Sequence, residues 1–89
     1  MLDLYKAFSN IKTEKEFQNF LKDICTPSEI KALKERWAIA QLLYLGKLSQ
    51  REIAEKLNVS ITTVTRVARF LNHESYKGYK TILNHIHHA

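Results

Sequence analysis

The sequence predicts an all-α protein of about six helices, and three observations support this prediction. The 89 residues contain only two glycines and one proline. Apolar side chains recur at three- and four-residue spacing, and no stretch alternates apolar and polar residues as a half-buried strand does. A chain of this length buries only about 60–65% of its unfolded surface. We therefore expect one small domain, residues 1–89, that is stabilised by a partner chain.

Two helix start signals organise the first half of the chain. Thr13 followed by Glu16 has the pattern of a capping box, in which a hydroxyl and a carboxylate satisfy free backbone amides. Thr26-Pro27-Ser28-Glu29 opens the next helix, because proline is favoured at the first helical position. The first of these helices has an apolar stripe of Phe17, Phe20, Leu21 and Ile24. The inward face of the second is predicted to consist of Ile30, Leu33, Trp37 and Ala40, with Tyr44 as a further candidate, and to be widened by Ile39, Leu42 and Leu43.

The segment from Gln50 to Arg69 has the pattern of a helix-turn-helix. A capping box at Ser49 and Glu52 opens a short helix, and Asn58 stands where the turn needs a positive φ. Ser60 caps the second helix. The core positions of such a corner are all apolar: Ile53, Leu57, Val59, Val64 and Val67. In this motif the second helix enters the major groove by its N-terminal end, so the segment predicts double-stranded DNA as a partner.

The C-terminal segment is predicted to be a polar loop followed by one more helix. Residues 73–78 are polar, and a last amphipathic helix is indicated by Tyr79, Ile82, Leu83 and Ile86. Four histidines lie in this segment, but neither cysteine nor carboxylate joins them at metal-ligand spacing. We interpret His73, His85, His87 and His88 as frayed terminal residues or a tag remnant, and we predict no metal site.

The charge distribution also favours a polyanionic partner. The chain has 14 basic and 9 acidic residues, a net charge of +5. Residues 1–45 carry seven basic and six acidic side chains, a net of +1, whereas residues 46–89 carry seven and three, a net of +4. A basic half on a small domain is typical of nucleic-acid-binding proteins.

The outward side chains of the second helix of the motif are the candidate DNA-binding residues. All of the first five residues after Ser60 are β-branched, which is unfavourable for a helix and indicates a role other than helix formation. Threonine hydroxyls and methyls suit phosphates and thymine, and Arg66 suits guanine or phosphate. The plainer alternative is a solvated face that happens to be rich in threonine. The predicted contacts on this helix are Ile61, Thr62, Thr63, Thr65, Arg66 and Arg69. The predicted backbone contacts before it are Lys47, Gln50 and Arg51.

Residues 13–72 resemble the bacterial Trp repressor family. The shared features are Thr26-Pro27-x-Glu29, Arg36, Gly46-x-x-Ser49-Gln50-Arg51-Glu52 and Ile61-x-Thr63-x-Thr65-Arg66. The resemblance implies an intertwined homodimer, in which the N-terminal helices of one chain interlock with those of the other. Such a dimer would also bury the helix that begins at Pro27, which is apolar over much of its circumference.

The resemblance also implies a ligand pocket, but two residues depart from its pattern. In the family, tryptophan lies between two arginines, and Arg36 and Arg66 match their positions. The tryptophan-binding repressor has glycine where this chain has Val67, and serine near the ligand's ammonium group where this chain has Phe70. Both larger side chains are expected to occupy the pocket. We therefore predict that this protein does not bind free tryptophan, and we expect no cofactor. A different small-molecule effector is the alternative, if Phe70 swings outward and leaves Arg36 and Arg66 facing an empty cleft.

Several classes of protein are excluded by what the sequence lacks. The single cysteine, Cys25, forms no intramolecular disulfide and suits a reducing cytoplasm. No apolar run approaches 18 residues, and the N-terminus lacks a secretory signal pattern, so we expect neither a membrane span nor export. No nucleophile–base set, paired carboxylates or phosphate-binding loop is recognisable, so we expect no enzyme.

These observations predict a homodimeric, sequence-specific transcriptional regulator of a bacterium, which the resemblance implies to be a repressor. We expect it in the cytoplasm, on the nucleoid when bound to DNA, and independent of tryptophan. The alternative is a helical protein-interaction module that retains a helix-turn-helix as a scaffold. The outward face of residues 61–69 separates the two hypotheses, because a polar and basic face favours DNA and an apolar face favours a protein partner.

Overall fold

The computed structural model describes residues 1–88, and all regular structure in this range is α-helical. The helices are α1 (Leu4–Ser9), α2 (Glu14–Ile24), α3 (Pro27–Leu45), α4 (Gln50–Leu57), α5 (Ile61–Asn72) and α6 (Gly78–His87). The prediction of about six helices and no strands is confirmed for these residues. The chain forms two compact units, and the second begins at Leu33, within α3.

The starts of α2 and α3 follow the predicted capping chemistry, with one difference. At α3, the Glu29 N–H donates to Thr26 Oγ1 at 3.2 Å and the Thr26 N–H donates to Glu29 Oε1 at 2.8 Å. At α2, the Glu16 N–H donates to Thr13 Oγ1 at 3.1 Å, but Glu16 Oε1 accepts from the Lys12 N–H at 2.9 Å rather than from the cap. The reciprocal box predicted at Thr13 is therefore displaced by one residue, while both helices begin where the sequence predicts.

In the first unit, an aromatic cluster joins α1 to α2. The Phe8 ring lies 5.8 Å from the ring of Phe17 and meets that of Phe20 edge to face at 5.5 Å. Of the predicted apolar stripe of α2, Phe20 and Leu21 are half-buried. Phe17 and Ile24 remain 42% and 49% exposed. A single chain thus leaves part of this stripe in solvent.

In the second unit, one apolar core joins the last four helices. It consists of Ile39, Ala40, Ile53, Val64, Val67, Leu71 and Leu83. The prediction that Leu33 lies on the inward face of α3 is wrong for the single chain, because its side chain is 44% exposed. Leu33 precedes the fully buried Ile39 by about 9 Å along the helix axis. The core is therefore centred on the second half of α3.

Tyr44 connects α3 to the C-terminal helix. Its hydroxyl donates to Asn84 Oδ1 at 2.8 Å and lies 3.2 Å from Nε2 of His88. Its ring stacks on that of His87 at 5.0 Å. His85 and His87 lie in the last turn of α6, so the interpretation of these terminal histidines as frayed is wrong for residues 85–88. Two of them hold α6 against Tyr44.

Candidate nucleic-acid interface

The corner between α4 and α5 has the backbone geometry that a helix-turn-helix needs. Asn58 ends α4 in the left-handed region, with φ 54° and ψ 50°, as predicted. The Val59 N–H then donates to the Ala54 carbonyl at 3.0 Å, which closes the turn. Ile53 of α4 and Val64 of α5 are fully buried where the helices meet. The corner is therefore held by a backbone bond and by core packing together.

The start of α4 is a complete capping box. The Glu52 N–H donates to Ser49 Oγ at 3.1 Å, and the Ser49 N–H donates to Glu52 Oε1 at 2.9 Å. The hydrogen bond from the Ser49 N–H is the main cause that lowers the pKa of the Glu52 carboxyl from its usual value. The hydrogen bond with the Ser49 side chain lowers this pKa further. Because the folded state favours the charged form, the stabilisation is complete at neutral pH and is lost as the pH falls through this lowered pKa.

The start of α5 uses a residue that the sequence assigns to DNA. The Thr63 N–H donates to Ser60 Oγ at 3.1 Å, and the two hydroxyl oxygens lie 2.9 Å apart. Thr63 is also half-buried. In this conformation its hydroxyl is engaged in the helix cap, so its main structural role is to orient the first turn of α5.

The other outward residues of α5 meet in one surface depression. Its volume is about 460 Å³, and its lining consists of Ile61, Thr62, Thr65, Arg66 and Arg69. All five are exposed. The structure thus brings together five of the six residues predicted on this helix and leaves Thr63 outside the lining. A surface that combines hydroxyls, two guanidinium groups and one apolar side chain matches the chemistry of base edges and phosphates.

The two helices of the motif are also joined across this surface. The Thr65 hydroxyl donates to Gln50 Oε1 at 3.1 Å. Gln50 is the first residue of α4, and its neighbour Arg51 is exposed, as is Lys47 in the preceding turn. The bond orients the Thr65 side chain relative to the start of α4.

Of the residues of the predicted tryptophan pocket, Arg66 and Phe70 lie against each other. The guanidinium carbon of Arg66 lies 4.7 Å from the centroid of the Phe70 ring. The Tyr76 ring is nearly parallel to that of Phe70, with an interplanar angle of 12° and 6.5 Å between the centroids. Val67 is only 2% exposed and belongs to the core, and Arg36 is exposed on α3. The Arg66–Phe70 pair has the four-residue spacing of helix neighbours, so the sequence contained the signal for it.

One residue of this surface was not predicted. Glu74, just after α5, accepts from Arg69 Nε at 2.8 Å and lies 2.7 Å from its Nη2. The two residues are five positions apart and on opposite sides of a helix end, so the helix spacing rule does not identify them as neighbours. Arg69, predicted to contact DNA, is ion-paired within the chain.

Two further observations concern other kinds of site. Within residues 1–88, no three His, Cys, Asp or Glu side chains are grouped so that they could hold a metal ion. In the same range, none of the helices combines the length and apolar character that a bilayer crossing needs.

The fold and this surface define a helix-turn-helix protein. The chain matches the family described as Trp repressor protein over residues 1–87, and it belongs to that family. The resemblance found in the sequence is thereby confirmed.

Two of the three similar proteins described next carry the Trp repressor name. A Trp operon repressor homolog of Chlamydia caviae is 39% identical over 64 residues, which are 72% of this chain and 63% of that protein. The protein YerC of Bacillus subtilis is 31% identical over 70 residues, 79% of this chain and 66% of its own length. The crystal structure of a TrpR-like protein from Eubacterium eligens is similar with a TM-score of 0.85 and 32% identity, covering 94% of this chain and 84% of that one. This chain spans less than two thirds of the matched Chlamydia caviae relative.

Proposed function

We propose that this protein is a sequence-specific, double-stranded-DNA-binding transcriptional regulator that acts as a homodimer in a bacterial cytoplasm. The observation that supports the proposal most is the polar and basic depression on the outward face of α5, at a packed helix-turn-helix corner. The family and the bacterial relatives named Trp operon repressor homolog point in the same direction. We infer repression from those names, through occupancy of a promoter site.

The residues of the surface divide into two roles. Thr62, Thr65 and Arg66 lie on the part of α5 that enters the major groove in this motif, so they are the base-reading candidates. Lys47 and Arg51 flank the start of α4, where free amides and the helix dipole also attract phosphate. Gln50 contributes to both base reading and phosphate binding. Its side chain holds Thr65, and its backbone lies at the start of α4.

The test of this proposal is selection of duplexes from a random pool, followed by affinity measurements at several salt concentrations. We expect one enriched sequence and a steep loss of affinity with salt, because each phosphate neutralised by a Lys or Arg releases counterions. Arg51→Ala should lower the affinity for all duplexes alike. It should also reduce the slope of log affinity against log salt concentration by about 1, the value for one phosphate contact. Lys15→Ala, which removes a charge from α2, is the control and should leave the slope unchanged.

The same measurement separates the regulator from the protein-interaction module. A pool that yields no enriched sequence, with binding that is insensitive to salt, would contradict the DNA proposal. The exposed lining of α5 favours DNA, since four of its five members are polar or charged and Ile61 is the apolar one.

The homodimer is supported by the apolar side chains that one chain leaves exposed. Phe17 and Ile24 of α2 and Leu33 of α3 each have more than a third of their surface in solvent. We expect sedimentation at micromolar concentration to give twice the chain mass of 10.4 kDa. Ile24→Glu should shift the mass toward the monomer, because the dimer would bury a charge without a partner.

Asn19→Asp provides the matched control, since it adds the same charge to an exposed position on the side of the helix away from the apolar stripe. A wild-type chain that sediments as a folded monomer at this concentration would contradict the homodimer, and with it the paired half-site arrangement.

Independence from tryptophan is proposed on the basis of Val67 and Phe70. Val67 is packed in the core, and the Phe70 ring lies against the Arg66 guanidinium, which the family pattern places beside the ligand. An aromatic ring of the chain thus supplies a permanent stacking partner for Arg66. With this support built in, the DNA-competent conformation needs no effector to become populated.

A further inference from the structure

One aromatic ring contacts both arginines of the α5 depression. The guanidinium carbons of Arg66 and Arg69 lie 4.7 and 5.4 Å from the centroid of the Phe70 ring. Both arginines line the depression, whereas Phe70 is half-buried and does not belong to the lining. A positive charge over an aromatic face is attracted by the quadrupole of the ring. Phe70 therefore holds two cations of the proposed DNA surface without being part of that surface.

Phe70 is itself fixed by the core and by the loop after α5. Val67, nearly one turn before it, and Leu71, the next residue, are both buried. On the loop side, the Tyr76 ring is nearly parallel to the Phe70 ring, with 6.5 Å between the centroids. The backbone that carries Phe70 is thus anchored in the core, and its ring has an aromatic neighbour.

The two arginines depend on this ring to different degrees. Arg69 has a second contact within the chain, because Glu74 Oε1 accepts from its Nε at 2.8 Å and lies 2.7 Å from its Nη2. Arg66 is exposed, and it precedes Phe70 by the four positions that make side chains neighbours on one helix face. The ring contact therefore selects among the rotamers of Arg66 more than among those of Arg69.

Binding of Arg66 to DNA is compatible with its contact to the ring. A guanidinium has five N–H donors, and its attraction to a ring uses the charge rather than a hydrogen-bond acceptor. Donors thus remain for a base edge or a phosphate. A contact that is kept in the complex favours binding, because the apparent affinity is proportional to the fraction of free protein that already has the binding-competent conformation.

We propose, on the basis of the proposed DNA-binding function, that Phe70 is a positioning residue for DNA binding, which holds Arg66 in the rotamer that contacts the duplex. Phe70 lies outside the segment Gln50 to Arg69 that forms the helix-turn-helix. An exposed contact between a cation and a ring shifts an equilibrium by about 2- to 5-fold. The binding-competent fraction of the free protein can fall by no more than this factor when the ring is removed.

The experiment compares the wild type, Phe70→Leu and Phe70→Tyr in their affinity for the selected duplex. Phe70→Leu keeps an apolar side chain but removes the ring, and we expect about 2- to 5-fold weaker binding. Phe70→Tyr keeps the ring and should restore the wild-type affinity. The slope of log affinity against log salt concentration should be equal in all three proteins, because none of the changes alters a charge.

Three further variants identify the route of this effect. In an Arg66→Ala background, Phe70→Leu should cause no further loss of affinity, because the side chain that the ring positions is absent. In an Arg69→Ala background, the loss caused by Phe70→Leu should persist. Tyr79→Leu removes a half-buried ring from α6 and is the matched control, which should leave the affinity unchanged.

The contact between Arg66 and the ring is checked without DNA. Protons close to an aromatic face have NMR signals displaced by the ring current. The side-chain signals of Arg66 should therefore shift in Phe70→Leu and keep their wild-type positions in Phe70→Tyr. Signals that stay unmoved in Phe70→Leu would contradict the contact and overturn the inference.

The affinity measurements separate this inference from the proposed function. Tighter binding by Phe70→Leu would show that the ring competes with DNA for Arg66, and it would overturn the inference. An equal loss in the Arg66→Ala background would do the same, because the role of the ring would then be structural only. Unchanged affinity in Phe70→Leu, with a wild type that binds the selected duplex, overturns the inference alone. A wild type that binds no duplex contradicts the proposed function, and the inference with it.

Discussion

The double change Val67→Gly with Phe70→Ser is expected to lower the free energy of unfolding by about 3–5 kcal/mol. Val67 is 2% exposed and lies in the core with Val64 and Leu71, so removing its side chain leaves a cavity. Glycine within a helix costs about 1 kcal/mol more. The half-buried Phe70 also loses its contacts with Arg66 and Tyr76. Urea unfolding followed by circular dichroism measures the change.

Single variants show how much of this loss of unfolding free energy is due to each side chain. Phe70→Leu retains an apolar side chain and should cost much less than Phe70→Ser, whereas Val67→Ala should retain helix propensity but still open a cavity. A double variant within about 1 kcal/mol of the wild type would contradict the close packing of Val67.

The same pair of proteins tests independence from tryptophan. Titration calorimetry of the wild type with tryptophan should give no saturable heat, and its DNA affinity should be equal with and without the amino acid. A ligand that favours neither conformation shifts no population. If the double variant remains folded, we expect it to bind tryptophan, because the two side chains that fill the pocket have been removed. Saturable tryptophan binding by the wild type, together with tighter DNA binding, would contradict the occupied pocket.

The sequence was most informative where structure depends on residues close together in the chain. The capping pairs at Thr26 and Ser49 involve partners three residues apart, and Asn58 was identified because few side chains tolerate a left-handed φ. The outward face of α5 follows from helical periodicity alone. These local rules were sufficient to place the helix-turn-helix and most of its surface.

Contacts between distant residues were beyond these rules. The Tyr44–Asn84 bond spans 40 positions, and nothing in local spacing predicts it. Glu74 reaches Arg69 only because the chain turns after α5, so its position depends on the loop conformation. Thr63 was assigned to DNA from its residue type, whereas its hydroxyl contacts the cap residue Ser60. The short α1 has a single start signal, Asp3, which caps the helix by accepting from the Lys6 N–H at 2.9 Å.

Arg66 is the residue whose replacement should change base preference most. Its guanidinium lies over the Phe70 ring, which orients the planar group while leaving it exposed in the depression. A guanidinium held in this way is suited to a bidentate contact with guanine. Arg66→Ala is therefore expected to lose about 1–3 kcal/mol of discrimination between the selected duplex and one altered at the contacted base.

Arg66→Lys separates base reading from simple charge. Lysine keeps the positive charge but has neither the planar donor fork nor the same stacking on Phe70. We expect this variant to retain the salt slope of the wild type while losing most of its base preference, as measured by competition between selected and altered duplexes. Arg51→Ala should do the reverse, with a shallower slope and an unchanged preference. If Arg66→Lys kept the full preference for the selected over the altered duplex, Arg66 would contact phosphate and not a base. Thr62 and Thr65 in the same depression would then be the residues that read bases.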